Sequence, residues 1–209
     1  MTLNQQEVTR FYKIWCSLVW GVNEKHSIVP EFDLPVYGKS MRREPFIAIR
    51  NRLWENPEWI DDFTQDYEHG DLTEQDLGIL ADWRKNFVKG RFIIMKHLKK
   101  YSVFMTMEEP AVLYGVCGIS HPIEEGIPYP LPTMVEAVLL PFDGKIIYDS
   151  FFAPYNISFG KGMRSNFKDS FDKVKAKAGI IEDMNLPPEP VPAPKKKAVA
   201  PKPPKQTSC

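Results

Sequence analysis

Residues Val135–Phe159, VEAVLLPFDGKIIYDSFFAPYNISF, place an apolar run, the pair Asp143-Gly144 and a second apolar run in succession. That order predicts a buried β-hairpin. Asp-Gly supplies the positive-φ positions of a tight two-residue turn, and Pro141 just ahead of it is consistent with the end of the first strand. The hairpin speaks to fold, and no comparable signal in the chain announces an activity.

Upstream of it the period is also that of strands. RFIIM (91–95) and YSVFM (101–105) flank HLKK, and AVLYGVCGI (111–119) follows a break at Pro110. Five β-rich segments at short separations predict an antiparallel sheet or small barrel, because a parallel sheet would need crossover helices between them. Downstream, a closing helix is expected from near Gly162 through Phe167, Phe171 and Val174, with Gly179 as its terminator.

Before Gly90 the pattern is helical. Val8, Phe11, Trp15, Leu18, Val19 and Val22 recur at spacings of three and four, which makes one apolar face between Gln5 and Val22. Beyond a loop marked by Pro30 and Pro35, Pro45 suits the first turn of a helix carrying Ile47, Ile49 and Leu53 that ends before Asn56-Pro57. Asn56 reads as the N-cap, with Pro57 at N1, of a helix bearing Trp59, Ile60, Phe63 and Tyr67 that stops near Gly70. Thr73 reads as the cap of a fourth helix carrying Leu77, Leu80, Trp83 and Phe87. Trp15, Trp54, Trp59 and Trp83 belong to apolar faces, whereas Trp20 leaves the main stripe and is a candidate exposed anchor.

The hairpin, its PYN sequel at 154–156, the Gly-rich entry to the last helix and the upstream RFIIMKHLKKYSVFM resemble a family of uncharacterised bacterial proteins. That family shares a PF-x-GKIIYD hairpin followed by PYN. The resemblance covers the β-rich half, implies a folded unit there, and brings no activity or catalytic residue with it.

With 209 residues, 43% of them hydrophobic, the chain is long enough for one domain or two small ones. The expected organisation is a helical region over 1–89, a β-rich region with the closing helix over 90–184, and a tail over 185–209. The tail holds five lysines, one glutamate and eight of the nineteen prolines, with no aromatic residue. It cannot build a core and is expected to be a disordered arm of polyproline-II character. Such an arm can serve as a solubilising tether, attract nucleic acid or an acidic surface, or offer Pro-rich ligands to a partner. Cys209 at the very end does not form a prenylation box.

No secretory leader and no run of about 18 uncharged apolar residues is present, so the expected location is cytoplasmic, without a membrane partner. Cys16, Cys117 and Cys209 are distant from one another and form no CxxC, which argues against a disulfide framework and structural zinc.

Charge is arranged in blocks. Residues 55–82 hold ten acids and no Lys or Arg, and residues 84–100 hold seven bases and no acid: Arg84, Lys85, Lys89, Arg91, Lys96, Lys99 and Lys100. Interleaved with Phe87, Phe92 and Tyr101, the basic block is a candidate nucleic-acid surface, since cations meet phosphate and aromatic rings stack on bases. The competing reading is that the two blocks neutralise each other within the fold.

Catalytic signatures are absent: there is no phosphate loop, GxGxxG, GxSxG, HExxH or EF-hand loop. Cys117, His121, Glu124 and Glu125 are the nearest constellation, with thiol and imidazole as nucleophile and base if a loop brings them together. A metal reading would add His97 or Asp149 to His121, Glu124 and Glu125. Gly160, Lys161 and Gly162, with Arg164 and Lys168, form a candidate anion site, because free N–H groups at a helix start favour negative charge. Taken together, the residues point first to a non-enzymatic protein-interaction protein without a cofactor, then to nucleic-acid binding, and third to a small-molecule enzyme near Cys117 and His121.

Overall fold

In the computed structural model the described residues are 1–30, 32, 43–66, 70–127 and 129–186. They form an α+β structure. Four helices come first: α1 (Gln5–His26), α2 (Arg43–Glu55), α3 (Trp59–Asp66) and α4 (Glu74–Asn86). Strands β1 (Val88–His97), β2 (Ser102–Thr106), β3 (Leu113–Val116), β4 (Thr133–Phe142) and β5 (Lys145–Pro154) follow, with a 3₁₀ turn at Ile123–Gly126, and α5 (Lys161–Ala178) closes the fold. The loop expected around Pro35, the place expected for Tyr67 in the third helix, and residues 187–209 of the tail expected to be disordered lie outside the described residues.

Local chemistry sets most of the boundaries. Asn4 and Glu7 make a reciprocal capping box at α1, and Thr73 and Asp76 make another at α4. Ser27 at φ 48° ends α1, and Gly179 at φ 76° ends α5. Asp143 at φ 47° and Gly144 at φ 71° form the positive-φ hairpin turn that the Asp-Gly pair calls for. Two local expectations shift. Asn56 caps a turn, its carbonyl accepting from Trp59 N–H, and α3 starts only at Trp59. Pro141 lies within β4, paired with Ile146, and its carbonyl accepts from Trp83 Nε1–H at 2.8 Å, so α4 rather than the turn claims it.

The five strands close into a barrel in the order β1-β2-β3-β5-β4. The path β4-β1-β2-β3 is a Greek key, and β5 completes the ring between β3 and β4. β1 is shared: Val88–Ile94 pair with β4 and Phe92–His97 with β2, with an irregularity between Ile94 and Lys96 that bends the strand around the barrel. Of the two architectures expected, the barrel is the one formed, and its pairing is mixed, not wholly antiparallel. Closure lays β5 beside β3 in the same direction, touching at Val116 and Ile146. This is the arrangement of OB-type barrels, a likeness of topology that carries no function by itself.

Three apolar layers result. Phe92, Ile94, Phe104, Val135, Leu139 and Ile146 fill the barrel interior. On one outer face Val138, Leu140, Phe142 and Ile147 join Phe11, Trp15, Leu53, Trp54 and Trp83 of the helices in a common core. On the opposite face α5 lays Phe167, Phe171 and Val174 over Ile93, Val103, Met105 and Leu113. The outer face of β1, β2 and β3 is therefore covered by this chain's own last helix. No helix among the described residues is long and apolar enough to cross a membrane.

Candidate functional site

The most distinctive local structure lies in β5. Leu139 pairs with Tyr148 and Ala137 with Phe152, so three residues of β5, Asp149 to Phe151, stand against the single Val138 of β4, an excess of two. The resulting bulge puts Ser150 at φ 68°, a conformation uncommon for a residue with a Cβ. It brings Ser150 to the helical side, which Asp149 already faces by alternation with Ile146 and Ile147.

There α2 is waiting. Arg50 and Trp54 are four residues apart on one helix face, and Asp149 accepts from Arg50 Nε at 2.6 Å, Arg50 Nη2 at 3.0 Å and Trp54 Nε1 at 2.6 Å. Asp149 is wholly buried and Arg50 nearly so. Burial pushes the Asp149 carboxyl up, while the Arg50 charge and the N–H donors of Arg50, Trp54 and Phe151 pull it down. Arg50 Nη1 donates to Asn51 Oδ1 at 2.9 Å, and the guanidinium lies 5.5 Å from the centre of the Phe151 ring. Trp15, at the centre of the helical core, donates Nε1–H to Ser150 Oγ at 3.0 Å.

Beside this network is a cleft of about 230 Å³. Phe46, Ile47 and Phe151 form its apolar walls, and Tyr12, Arg43, Arg50 and Ser150 its polar ones. A second, wider cleft of about 620 Å³ runs between the first turns of α1 and α4. Its charges are spent on one another: Asp76 meets Arg10 at 2.7 Å and Lys13 at 3.1 Å, and Arg10 also reaches Asp143 at 3.2 Å. Burial works to raise the Asp76 carboxyl, but Thr73, Arg10 and Lys13 together hold it well below its ordinary value.

The basic block of 84–100 is divided by the fold. Arg84 and Lys85 sit on α4, where Arg84 pairs with Asp61 at 2.9 Å. Lys89 and Arg91 point outward from β1, and Arg91 is directly opposite Glu136 of β4. Lys99 and Lys100 are exposed in the β1–β2 turn. Lys96 stands 4.8 Å and Lys175 of α5 5.9 Å from the centre of the Phe171 ring, so a second lysine joins the block from a distant part of the chain. None of the interleaved aromatic residues is presented for stacking. Phe87 packs against Trp54, Phe92 fills the barrel, and Tyr101 covers Gly115 while its hydroxyl donates to Glu182.

At the start of α5, Gly160 caps the helix without a side-chain bond, and Lys161 and Gly162 are exposed in its first turn. Arg164 folds back, donating from Nε to the Phe159 carbonyl at 2.8 Å and from Nη1 to that of Leu131 at 3.4 Å. Lys168 pairs with Asp172 at 3.2 Å. Arg164 thus anchors the start of the helix, and Lys168 pairs within the helix itself.

Cys117 is buried, with Sγ 3.6 Å from the Lys100 carbonyl, and burial pushes its thiol up. His121, Glu124 and Glu125 are exposed. Elsewhere, His97 Nδ1 lies 2.7 Å from Ser102 Oγ, and burial pulls that imidazole down. Among the described residues no three His, Cys, Asp or Glu side chains are grouped to hold a metal. Asp149, weighed as a metal ligand, is instead the carboxylate that Arg50 neutralises.

Sequence reasoning missed Arg50, Trp54, Ser150 and Tyr12 as one group. Two signals bear on it: Asp149 and Ser150 interrupt an apolar run, and Arg50 stands on the stripe of Phe46 and Leu53. Compared with protein families, with curated proteins and with solved structures, the chain matches none.

Proposed function

We propose that the chain is a non-enzymatic cytoplasmic interaction protein that docks an acidic protein surface on the lysines beside β1 and α5. The observation carrying this reading is a set of exposed lysines without carboxylate partners. Lys89, Lys96, Lys99 and Lys100 are exposed and form no ion pair among the described residues. Of these, Lys96, Lys99 and Lys100 stand together where β1 turns into β2 beside α5, and unpaired cations so placed attract a complementary anionic surface and steer its approach. The Lys/Pro-rich tail supplies an auxiliary contact.

Nucleic acid is the second reading and rests on the same lysines. Two observations favour a protein instead: the aromatic rings of the segment are in the core, and α5 occupies the sheet face on which bases would lie.

The full chain, titrated with an oligoglutamate peptide and with a single-stranded oligonucleotide of equal charge, tests this at several salt concentrations. The peptide should bind more tightly, and Lys96→Glu/Lys99→Glu/Lys100→Glu should abolish its binding. Tighter oligonucleotide binding, falling steeply with salt, would put nucleic acid first. Binding of neither probe at low salt would end both readings.

A further inference from the structure

We infer that the cleft between α1, α2 and the β5 bulge is a binding site for a small anionic ligand with a flat apolar body, an aromatic carboxylate or phosphate ester. Nothing in this inference depends on those lysines.

Size is the first consideration. About 230 Å³ falls below the roughly 300–1,000 Å³ of pockets for drug-sized ligands, so the occupant is metabolite-sized. Shape and polarity follow from the lining. Phe46, Ile47 and Phe151 provide flat apolar walls, and the polar groups converge from three elements: Tyr12 from α1, Arg43 and Arg50 from α2, and Ser150 from β5.

Those groups are donors held in place. A guanidinium has five N–H bonds. Asp149 takes one from Nε and one from Nη2, and Asn51 takes one from Nη1, which fixes the plane and leaves one N–H on each terminal nitrogen. Ser150 Oγ already accepts from Trp15, and its own proton has no acceptor among the described residues. Arg43 has no ion pair among them and is exposed at the rim. Since Asp149 offsets the Arg50 charge, Arg43 supplies the net positive charge, and the first turns of α2 add the positive end of a helix dipole. A carboxylate or phosphate oxygen meets donors here, while an uncharged amide forfeits the attraction of Arg43.

The bulge is the structural means to this end. Along β5 Ile146 faces the barrel and Ile147 the helices, so alternation already sends Asp149 and Phe151 to the helical side; the bulge adds Ser150 to that side, at the cleft.

The test titrates the full chain with benzoate, phenyl phosphate and benzamide, followed by ¹H–¹⁵N NMR. Benzoate or phenyl phosphate should shift the amides of Ile47, Ser150 and Phe151 saturably, with benzamide about tenfold weaker. Whichever anion binds more tightly identifies the headgroup. Arg43→Gln should weaken the anions about tenfold and leave benzamide unchanged, and Ile47→Trp, which fills the cleft, should abolish all three. Arg43 is exposed, so its variant tests the site even if Ile47→Trp fails to fold. Absence of saturable shifts, equal binding of benzoate and benzamide, or indifference to Arg43→Gln would each overturn the inference.

Discussion

Arg50 and Asp149, 99 residues apart in the chain, meet as a two-point ion pair sealed between the helical layer and the barrel, with Nε–Oδ2 at 2.6 Å and Nη2–Oδ1 at 3.0 Å. The pair ties α2 to the one irregular position of β5. Two charges buried together lose their hydration, and their mutual attraction repays this only when the remaining valences are filled. Trp54 supplies another donor to Asp149, and Asn51 takes another proton from Arg50. The pair is therefore costly to break from one side.

That asymmetry is measurable by a double-mutant cycle. Asp149→Leu and Arg50→Met should each destabilise the fold by about 3–5 kcal/mol, because each leaves the partner charge buried alone. The double variant should cost less than the sum of the two, by roughly 1–3 kcal/mol, in urea unfolding. Additive losses would mean that the two side chains contribute independently.

Two helical glycines should respond in opposite senses. Gly78 in α4 has open space where a Cβ would stand, so Gly78→Ala should stabilise by about 0.5–1 kcal/mol through helix propensity. At Gly21 in α1 the added methyl would run into the buried Phe63 ring of α3, and Gly21→Ala should destabilise by about 1–3 kcal/mol. Thermal melts of the two variants read both signs; a stabilised Gly21→Ala would mean that α3 moves aside without cost.

Asp76 gives a pH dependence with a definite sign. Burial opposes its ionisation, but Thr73, Arg10 and Lys13 hold the folded-state value below the ordinary one, about 3.9. The folded chain then binds fewer protons there than the unfolded chain. This contribution is complete above the ordinary value and is lost as the pH falls through the folded one. Asp76→Asn keeps the size of the cap and removes the charge. It should cost about 1–3 kcal/mol near pH 7, with the difference shrinking as the pH falls from about 5 toward 2. A difference constant across that range would assign the energy to cap geometry alone.

Thiol chemistry should be slow in the folded chain. Burial raises Cys117 and pushes Cys16 up to about 11, so little thiolate exists at pH 8. Iodoacetamide should leave both unmodified under native conditions over times that fully modify them in urea, as read by peptide mass spectrometry. Rapid native alkylation of Cys117 would return the Cys117 and His121 pair to consideration.

The elements were legible wherever the signal is local. Asp143-Gly144 encodes its turn because positive φ is a property of those two residues, and Thr73 encodes the start of α4 because its hydroxyl reaches only three residues ahead. The stripe through Phe11, Trp15 and Leu18 located the buried face of α1, since helical periodicity fixes which residues share a side. Trp20, off that stripe, is indeed among the exposed large apolar residues.

The candidate site was legible only in fragments. A sequence window sees Arg84 to Lys100 as one basic block, but the change from helix to strand sends its two ends to different places and its aromatic residues inward. The Gly160 turn read as an anion site because its cations are close in sequence; whether Arg164 faces outward or folds back onto Phe159 and Leu131 depends on carbonyls that only packing brings within reach.

By itself the sequence determined the helical and β-rich halves, the hairpin, the caps and the apolar faces, all of which follow from interactions spanning a few residues. The tertiary structure alone decided that the strands close with β5 parallel to β3, that α5 covers the β1-β2-β3 face, and that Arg50 finds Asp149. Those outcomes join groups far apart along the chain, and the free energy that selects them, desolvation of apolar faces and of one buried ion pair, exists only once the layers have come together.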